Sequence, residues 1–202
     1  MFGIYEDFVK EDFIKTLKLN CDKIQKYAKV ENLFLTLIEM GYLDVPASTK
    51  YHCNFEGGLM YHSLNVLSEL IVQTNIHCLE WQREESPIIV ALFHDLCKLN
   101  FYKKKVISKW NSAIKKYEDI EEWVYENDKP YLGVHAESSV TMALKLINLT
   151  DEETACILWH MGCGDSSYLT NGYRSAYRSM PNILYTHIAD SVATLKEDLG
   201  KL

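Results

Sequence analysis

Apolar residues recur along most of this chain at intervals of three and four positions, the spacing that gathers them on one face of an α-helix. Four prolines and nine glycines are the main interruptions of this pattern. The pattern predicts helices over 6–18, 22–40, 86–99, 135–148, 150–161 and 181–199. Another helix is predicted to begin at Gly57-Gly58, with Leu59, His62, Val66 and Leu70 on one stripe. The chain is therefore expected to be built mainly of helices.

Residues typical of helix ends support several of these boundaries. Gly41 follows the second predicted helix at the position that favours glycine. Ser86 and Pro87 are typical of an N-cap followed by proline at the first helical position. Thr150 and Glu153 have the spacing of a capping box, in which each side chain bonds the backbone N–H of the other residue.

Two segments lack a clean helical period. Residues 101–132 mix aromatic and β-branched residues with Lys103–Lys105 and a glutamate-rich turn, which favours a small insertion compatible with a β-hairpin. Residues 162–180 are expected to form a loop or short helices. Since no linker or repeat divides the chain, we expect a single all-α domain over 1–202, a helical bundle in which 1–50 form N-terminal helices.

The composition is that of a globular protein with an acidic balance. Hydrophobic residues make up 48% and charged residues 24% of the 202 residues, which argues against a disordered chain. Lysine and arginine number 21 against 28 aspartates and glutamates, so the formal net charge is −7. This balance argues against a partner such as long nucleic acid, and it is compatible with a small anionic substrate held through a metal ion. The oligomeric state stays open.

Cysteine usage and the N-terminus favour a reduced, cytoplasmic protein. Six cysteines occur without a CxxC pair, and the first residues carry no basic segment followed by an apolar run. No stretch approaches the roughly 18 uncharged apolar residues of a membrane-spanning helix. We therefore expect no membrane partner and a cytoplasmic location.

Five histidines and aspartates stand among apolar neighbours in the predicted helices: His62, His94, Asp95, His160 and Asp190. An aspartate that points into a core needs a hydrogen-bond network, a cation or a metal ion, because a lone buried carboxylate costs several kcal/mol. Imidazole nitrogen with carboxylate oxygen is a ligand set for Zn, Mn, Fe, Co or Mg. A single histidine on an apolar face is more often a hydrogen-bonded core residue than a metal ligand. For the adjacent His94 and Asp95, a structural role and metal binding have equal weight.

Three segments resemble the motifs of one family. Residues 51–63 (YHCNFEGGLMYHS) resemble the H…GGL…HS opening of the HD phosphohydrolase superfamily, and residues 91–98 (ALFHDLCK) resemble its His-Asp signature with a following lysine. Residues 188–193 (IADSVA) resemble the closing segment that carries the last metal-binding aspartate. Together they span about 51–193 in the family's order, and the resemblance is to a small, phage- or prophage-type member.

The resemblance implies an HD-type helical fold and a centre of two divalent metal ions. By position in the motifs, the metal ligands would be His62, His94, Asp95, His135, His160 and Asp190. Asp95 would bridge the two ions, with His135 and His160 belonging to the second ion. Mn, Fe, Co, Ni or Zn would suit these ligands, and Mg is also compatible with them.

The resemblance also implies roles close to the substrate. Lys98 would donate to a phosphate and act with Asp95 in catalysis, whereas a solvated lysine at a helix end is the plain alternative. His52 would lie beside the substrate or would be an ordinary loop histidine. Cys97 stands where the family has a small residue, and we interpret it as packing. The GYP element of the cyclic-di-GMP branch is missing.

Tyrosines and arginines crowd the segment between His160 and Asp190: Tyr168, Tyr173, Arg174, Tyr177 and Arg178. Aromatic faces stack on bases and arginines bind phosphates, so Tyr168, Arg174 and Arg178 are candidates for binding a nucleotide. A role of these tyrosines in packing alone has the same weight as nucleotide binding. His187, one turn before Asp190, could support the metal centre or contact the substrate.

The leading functional hypothesis is a metal-dependent phosphohydrolase that cleaves a nucleotide phosphoester or phosphodiester with activated water. An alternative is an enzyme similar to the HD-type 3′–5′ exoribonucleases that acts on short RNA. A non-catalytic HD-like signalling module is disfavoured, because such modules typically lose the metal ligands and all six positions are filled here. The expected location is a bacterial cytoplasm or that of a phage-infected host.

Overall fold

A computed structural model describes residues 3–126, 128, 133–163 and 167–200, with side chains for 10–126, 128, 133–163 and 171–200. Helices make up most of the described chain, which confirms the mainly helical prediction. In chain order they are α1 (Gly3–Ile24), α2 (Leu33–Glu39), α3 (Gly58–His77), α4 (Ser86–Phe93), α5 (Lys98–Phe101), α6 (His135–Leu146), α7 (Asp151–Trp159), α8 (Ser167–Ser179) and α9 (Asn182–Asp198).

An antiparallel β-hairpin interrupts the helices. Its strands are β1 (Tyr102–Asn111) and β2 (Lys116–Tyr125), and Ile107 lies opposite Ile120 in the register. Cross-strand pairs of β-branched and aromatic residues stabilise such a hairpin. The hairpin lies inside the segment predicted as an insertion, so the hairpin interpretation is confirmed there and the all-α assignment is wrong for these residues.

The region between α1 and α2 differs from the predicted helices over 6–18 and 22–40. The helix α1 runs unbroken across the predicted gap, and α2 begins only at Leu33. Asn32 caps α2, because its side-chain oxygen accepts from the Leu35 N–H at 3.0 Å. The apolar period alone cannot show this local polar contact, which separates the two helices.

The predicted helix over 86–99 is divided by a turn. The helix α4 ends at Phe93, residues 94–97 form the turn, and the short α5 follows. The hydroxyl of the fully buried Tyr42 donates to the Leu92 carbonyl at 2.8 Å, which ties the loop after α2 to the end of α4. The turn is therefore held against the core, and it carries His94 and Asp95.

The structure contains a helix in the segment 162–180 and a capping box at the start of α7. The segment 162–180, expected as a loop or short helices, contains the helix α8. The capping box at the start of α7 is confirmed, since the Thr150 hydroxyl accepts from the Glu153 N–H at 3.1 Å and Glu153 accepts from the Thr150 N–H at 2.8 Å. The start of α7 is thereby fixed, and with it the position of His160 one residue beyond its end.

In the core, α3 packs against two other helices. The helix α3 packs against α4 and α9, and α7 packs against α9. Fully buried apolar side chains of these helices include Leu59, Val66, Ile89 and Ala193. In the described part of the chain, no helix has the length and apolar character needed to cross a membrane.

Candidate metal centre

Five separate elements bring the predicted metal ligands to one place. His62 lies on α3, His94 and Asp95 lie in the turn after α4, and His135 begins α6. His160 follows the end of α7, and Asp190 lies on α9. The side chains of His62, His94 and His160 are at most 1% exposed. The cluster is thus built into the core rather than on the surface.

The first half of the cluster joins His62, His94 and Asp190. The His62 Nε2 atom lies 3.2 Å from Asp190 Oδ1 and 3.3 Å from His94 Nε2. The distance from His94 Nε2 to Asp190 Oδ1 is 3.9 Å. One ligand atom from each of these residues lies within 4.8 Å of the others, so this group could hold a metal ion.

The second half joins Asp95, His135 and His160. Asp95 Oδ1 contacts His135 Nε2 and lies 3.6 Å from His160 Nε2. The other oxygen, Asp95 Oδ2, lies 3.3 Å from His94 Nε2. The two oxygens of one carboxylate therefore face two different groups of histidines, and the second group could also hold a metal ion.

Helix ends fix the rings of two histidines. The Nδ1 atom of His94 donates to the Ala91 carbonyl at 2.8 Å, and that of His160 donates to the Ile157 carbonyl at 2.7 Å. Carbonyl oxygens in the last turn of a helix lack intrahelical donors and are free to accept. Because a carbonyl only accepts, Nδ1 carries the proton, and the Nε2 atom of the neutral ring is left as an acceptor.

The Nε2 atoms of His62, His94 and His160 all lie in a buried part of the cluster. Among the described residues, His160 Nε2 is buried without a hydrogen-bond partner. The Nε2 atoms of His62 and His94 approach to 3.3 Å, an arrangement that needs a proton or a cation between them. Nitrogen and carboxylate oxygen donors of this kind suit a divalent transition metal, so the residues present fit the ion that the sequence resemblance implies.

The charges around Asp95 keep it ionised. Burial would raise the pKa of Asp95, but the Lys98 ammonium and the neighbouring imidazoles of His94 and His135 hold it well below its usual range. Burial would likewise raise the pKa of Asp190, and the hydrogen bond from His62 lowers it. Both aspartates are therefore carboxylates at neutral pH, which is the form that binds a metal.

Two of the histidines differ in their protonation when no metal is bound. Burial would lower the pKa of His62, but hydrogen bonds to Asp190 and Glu197 raise it to about 9. Burial lowers the pKa of His94 below its ordinary value. In the metal-free protein the proton on His62 therefore occupies the position where a cation would otherwise satisfy Asp190.

Lys98 lies inside the cluster rather than in solvent. It is on α5 and only 6% exposed, and its ammonium donates to Asp95 Oδ2. Burial would lower the pKa of Lys98, but the charge of Asp95 raises it, so the side chain is a cation. The structure thus places Lys98 next to the predicted bridging ligand, while its role toward a phosphate stays a prediction.

His52 lies beside the cluster. Its ring centroid is 4.9 Å from that of His62, and its Nε2 atom is buried without a hydrogen-bond partner in the described part of the chain. Burial lowers the pKa of His52, which favours the neutral ring. The position agrees with a residue that borders the centre, and substrate contact stays a prediction.

The candidates in the segment 162–180 separate into two faces of α8. Arg174 and Arg178 are exposed, and no described hydrogen bond or ion pair joins them to the cluster. Tyr173 and Tyr177 pack in a second core cluster with Trp159. The side chain of Tyr168 lies outside the described residues. Part of this tyrosine-rich segment is therefore a packing face.

His187 supports the turn that carries His160. Its Nδ1 atom donates to the His160 carbonyl at 2.6 Å. Its ring also lies against Gly162, where a Cβ atom would approach the imidazole to 3.3 Å and the backbone φ is +71°. This contact agrees with the supporting role that the sequence allowed for His187.

One residue near the cluster was not predicted from the sequence, and another has a contact that the sequence did not indicate. Glu197 on α9 accepts from His62 Nδ1 at 3.0 Å, and its position seven residues after Asp190 places both on one helix face. That spacing is the signal that could have identified it. Cys97 lies with its sulfur 3.4 Å from His135 Nδ1, so its contact goes beyond the packing assigned from sequence.

Comparisons with known proteins do not identify the chain. No protein-family model, curated protein or solved structure matches it. The resemblance to the HD phosphohydrolases therefore stays a prediction that rests on the motifs within 51–193.

Proposed function

We propose that this protein is a metal-dependent phosphohydrolase of the HD type that cleaves a nucleotide phosphoester or phosphodiester. The observation that carries the proposal is the position of Asp95 between two groups of histidine Nε2 atoms, with one carboxylate oxygen toward each group. A structural core histidine needs no second histidine facing it, whereas a centre for two ions needs this arrangement.

The chain supplies ligands for each ion. His62, His94 and Asp190 would hold one ion, His135 and His160 would hold the other, and Asp95 would be shared. When bound, two divalent ions lower the pKa of a water molecule and neutralise phosphoryl oxygens. The ring orientations are already set, because the Nδ1 protons of His94 and His160 are committed to backbone carbonyls.

The charge balance of the centre favours an anionic substrate. Two divalent ions together with the ammonium of Lys98 outweigh the charges of the carboxylates of Asp95, Asp190 and Glu197. Lys98 is held in place by Asp95, so its charge is oriented before a phosphate arrives. The formal net charge of −7 for the whole chain disfavours a long polyanion and is compatible with a small one.

One side of the cluster is more open than the rest. The side chain of His135 is 29% exposed and that of Asp190 is 14% exposed, whereas His62, His94 and His160 are closed to solvent. A phosphate and the attacking water would therefore enter past His135 and Asp190. This side of the centre is where residues that choose the substrate would lie.

A substrate screen tests this proposal. Protein loaded with Mn or Co is incubated with nucleoside monophosphates, nucleoside triphosphates, cyclic mono- and dinucleotides, and short RNA, and the products are separated by chromatography. We expect hydrolysis of at least one small nucleotide by the wild type and none by Asp95→Asn. Asp12→Asn, which changes an exposed aspartate on α1, is the matched control and should retain activity. Bound metal without hydrolysis of any of these esters would contradict the proposal.

A further inference from the structure

We propose that Glu197 is a positioning residue for the metal ligand His62. Its carboxylate holds the proton of His62 on Nδ1 and so presents the Nε2 lone pair to the centre. This inference rests on the proposed metal centre and adds to it a residue that determines how tightly the first ion is held.

The carboxylate of Glu197 lies directly against the His62 ring. Its two carboxylate oxygens lie 3.0 Å and 3.2 Å from His62 Nδ1, and both side chains are 1% exposed. Asn65, one turn after His62 on α3, donates its Nδ2 to Glu197 Oε1 at 2.8 Å. The carboxylate is therefore fixed by two partners from a single turn of α3.

The helix α9 contacts both nitrogens of the same imidazole. Asp190 Oδ1 lies 3.2 Å from His62 Nε2, and Glu197 approaches Nδ1 from the other edge of the ring. Asp190 and Glu197 lie on the same helix, so the packing of α3 on α9 sets the ring plane and the direction of Nε2 together. A ligand held in this way needs no reorientation when an ion binds.

Glu197 differs from the groups that hold the other rings. Among the described residues, His94 and His160 donate to backbone carbonyls and His135 faces the sulfur of Cys97, whereas His62 faces a carboxylate. A hydrogen bond to an ionised acceptor is about twice as strong as one between neutral groups. It also makes the imidazole a more basic donor toward a metal. The ion next to His62 is thus the one we expect to be bound more tightly.

The test compares Glu197→Gln with Glu69→Gln, which changes another buried carboxylate at the interface of α3 and α9. Glu69 on α3 is 6% exposed and pairs with Lys196 of α9, and none of its described contacts involves a histidine of the centre. Affinity for Mn²⁺ or Zn²⁺ is measured by calorimetry or chelator competition on the folded fraction of wild type, Glu197→Gln and Glu69→Gln. Unfolding of the metal-free proteins is followed in parallel.

We expect Glu197→Gln to bind the first ion about 10–100-fold more weakly than wild type. Glu69→Gln should lose stability and keep the wild-type metal affinity, because it removes a contact between α3 and α9 without touching a ligand. Wild-type affinity in Glu197→Gln, beside a wild type that binds metal and hydrolyses its substrate, would overturn the positioning role and leave the proposed function standing. A wild type that binds no metal would overturn both.

A second variant covers the case in which Glu197→Gln does not fold. Asn65→Ala removes the 2.8 Å hydrogen bond that orients the Glu197 carboxylate and leaves the carboxylate itself in place. We expect its metal affinity to fall in the same direction by a smaller factor. An unchanged affinity in the folded Asn65→Ala protein would contradict the inference.

Discussion

Asp95 Oδ1 lies 3.6 Å from the Nε2 atom of His160, which is buried and has no hydrogen-bond partner among the described residues. The distance is too long for a hydrogen bond. It leaves one carboxylate oxygen and one imidazole nitrogen facing each other as acceptors inside the core. A cation between them resolves this arrangement.

The first prediction concerns the buried pair of Asp95 and Lys98. In metal-free protein, Asp95→Asn should lower the free energy of unfolding by about 3–5 kcal/mol, because the Lys98 ammonium is left buried without its carboxylate. The double variant Asp95→Asn with Lys98→Met should recover part of this loss, since the unpaired charge is gone. Urea unfolding of the chelator-treated proteins measures both. Equal stability of the single and double variants would contradict the pairing.

The second prediction concerns Lys98 in catalysis. Lys98→Met should lower kcat/KM by about 100-fold or more while the metal content stays near that of wild type, because the ammonium acts on the phosphate rather than on the ion. Lys145→Met, on the exposed side of α6, is the control and should leave kcat/KM unchanged. Full activity of folded, metal-loaded Lys98→Met would show that Lys98 is only a partner of Asp95.

The third prediction concerns the pH dependence of metal-free stability. Burial would lower the pKa of His62, but hydrogen bonds to Asp190 and Glu197 raise it to about 9 in the folded protein, against about 6.5 for an unfolded histidine. The folded state therefore binds more protons between these values. The resulting stabilisation, of order 3 kcal/mol, is fully present below about pH 6.5 and is lost as the pH rises through about 9.

Urea unfolding between pH 7 and pH 9.5 measures this effect in chelator-treated protein. The free energy of unfolding should fall across this range in the wild type and by less in His62→Gln. In that variant the buried thiols of Cys21, Cys97 and Cys156, whose pKa burial raises to about 12, still contribute to the fall. Starting at pH 7 avoids the opposite contribution of His94, whose lowered pKa favours the folded state as the pH rises from acid. A wild-type stability that rises from pH 7 to pH 9 would contradict the assignment of the proton to His62.

The sequence predicted the members of the cluster but not all of its supports. The adjacency of His94 and Asp95, together with the family motifs, identified six residues that the structure brings within reach of one another. Glu197 was missed because it stands among charged residues near the end of α9, where a glutamate is usually solvated. Only the packing of α9 on α3 shows that its side chain is buried against His62.

Helix faces and helix ends were harder to predict than helix content. The apolar period predicted α3, α6, α7 and α9 well, because each buries one stripe against neighbours. The break before α2 depends on the cap formed by Asn32, a polar contact that the apolar pattern does not record. Arg174 and Arg178 lie in a segment without predicted helical faces, so their exposure on α8 could not be foreseen.

The most direct test of the two-ion centre is the metal content of His160→Ala, measured by elemental analysis together with turnover on the folded fraction. We expect the wild type to bind about two equivalents and His160→Ala about one, since the group of His62, His94 and Asp190 stays intact. Turnover should fall by orders of magnitude, because attack on the phosphate uses both ions. Unchanged metal content and turnover in His160→Ala, with only a loss of stability, would contradict the account and make His160 an ordinary core histidine.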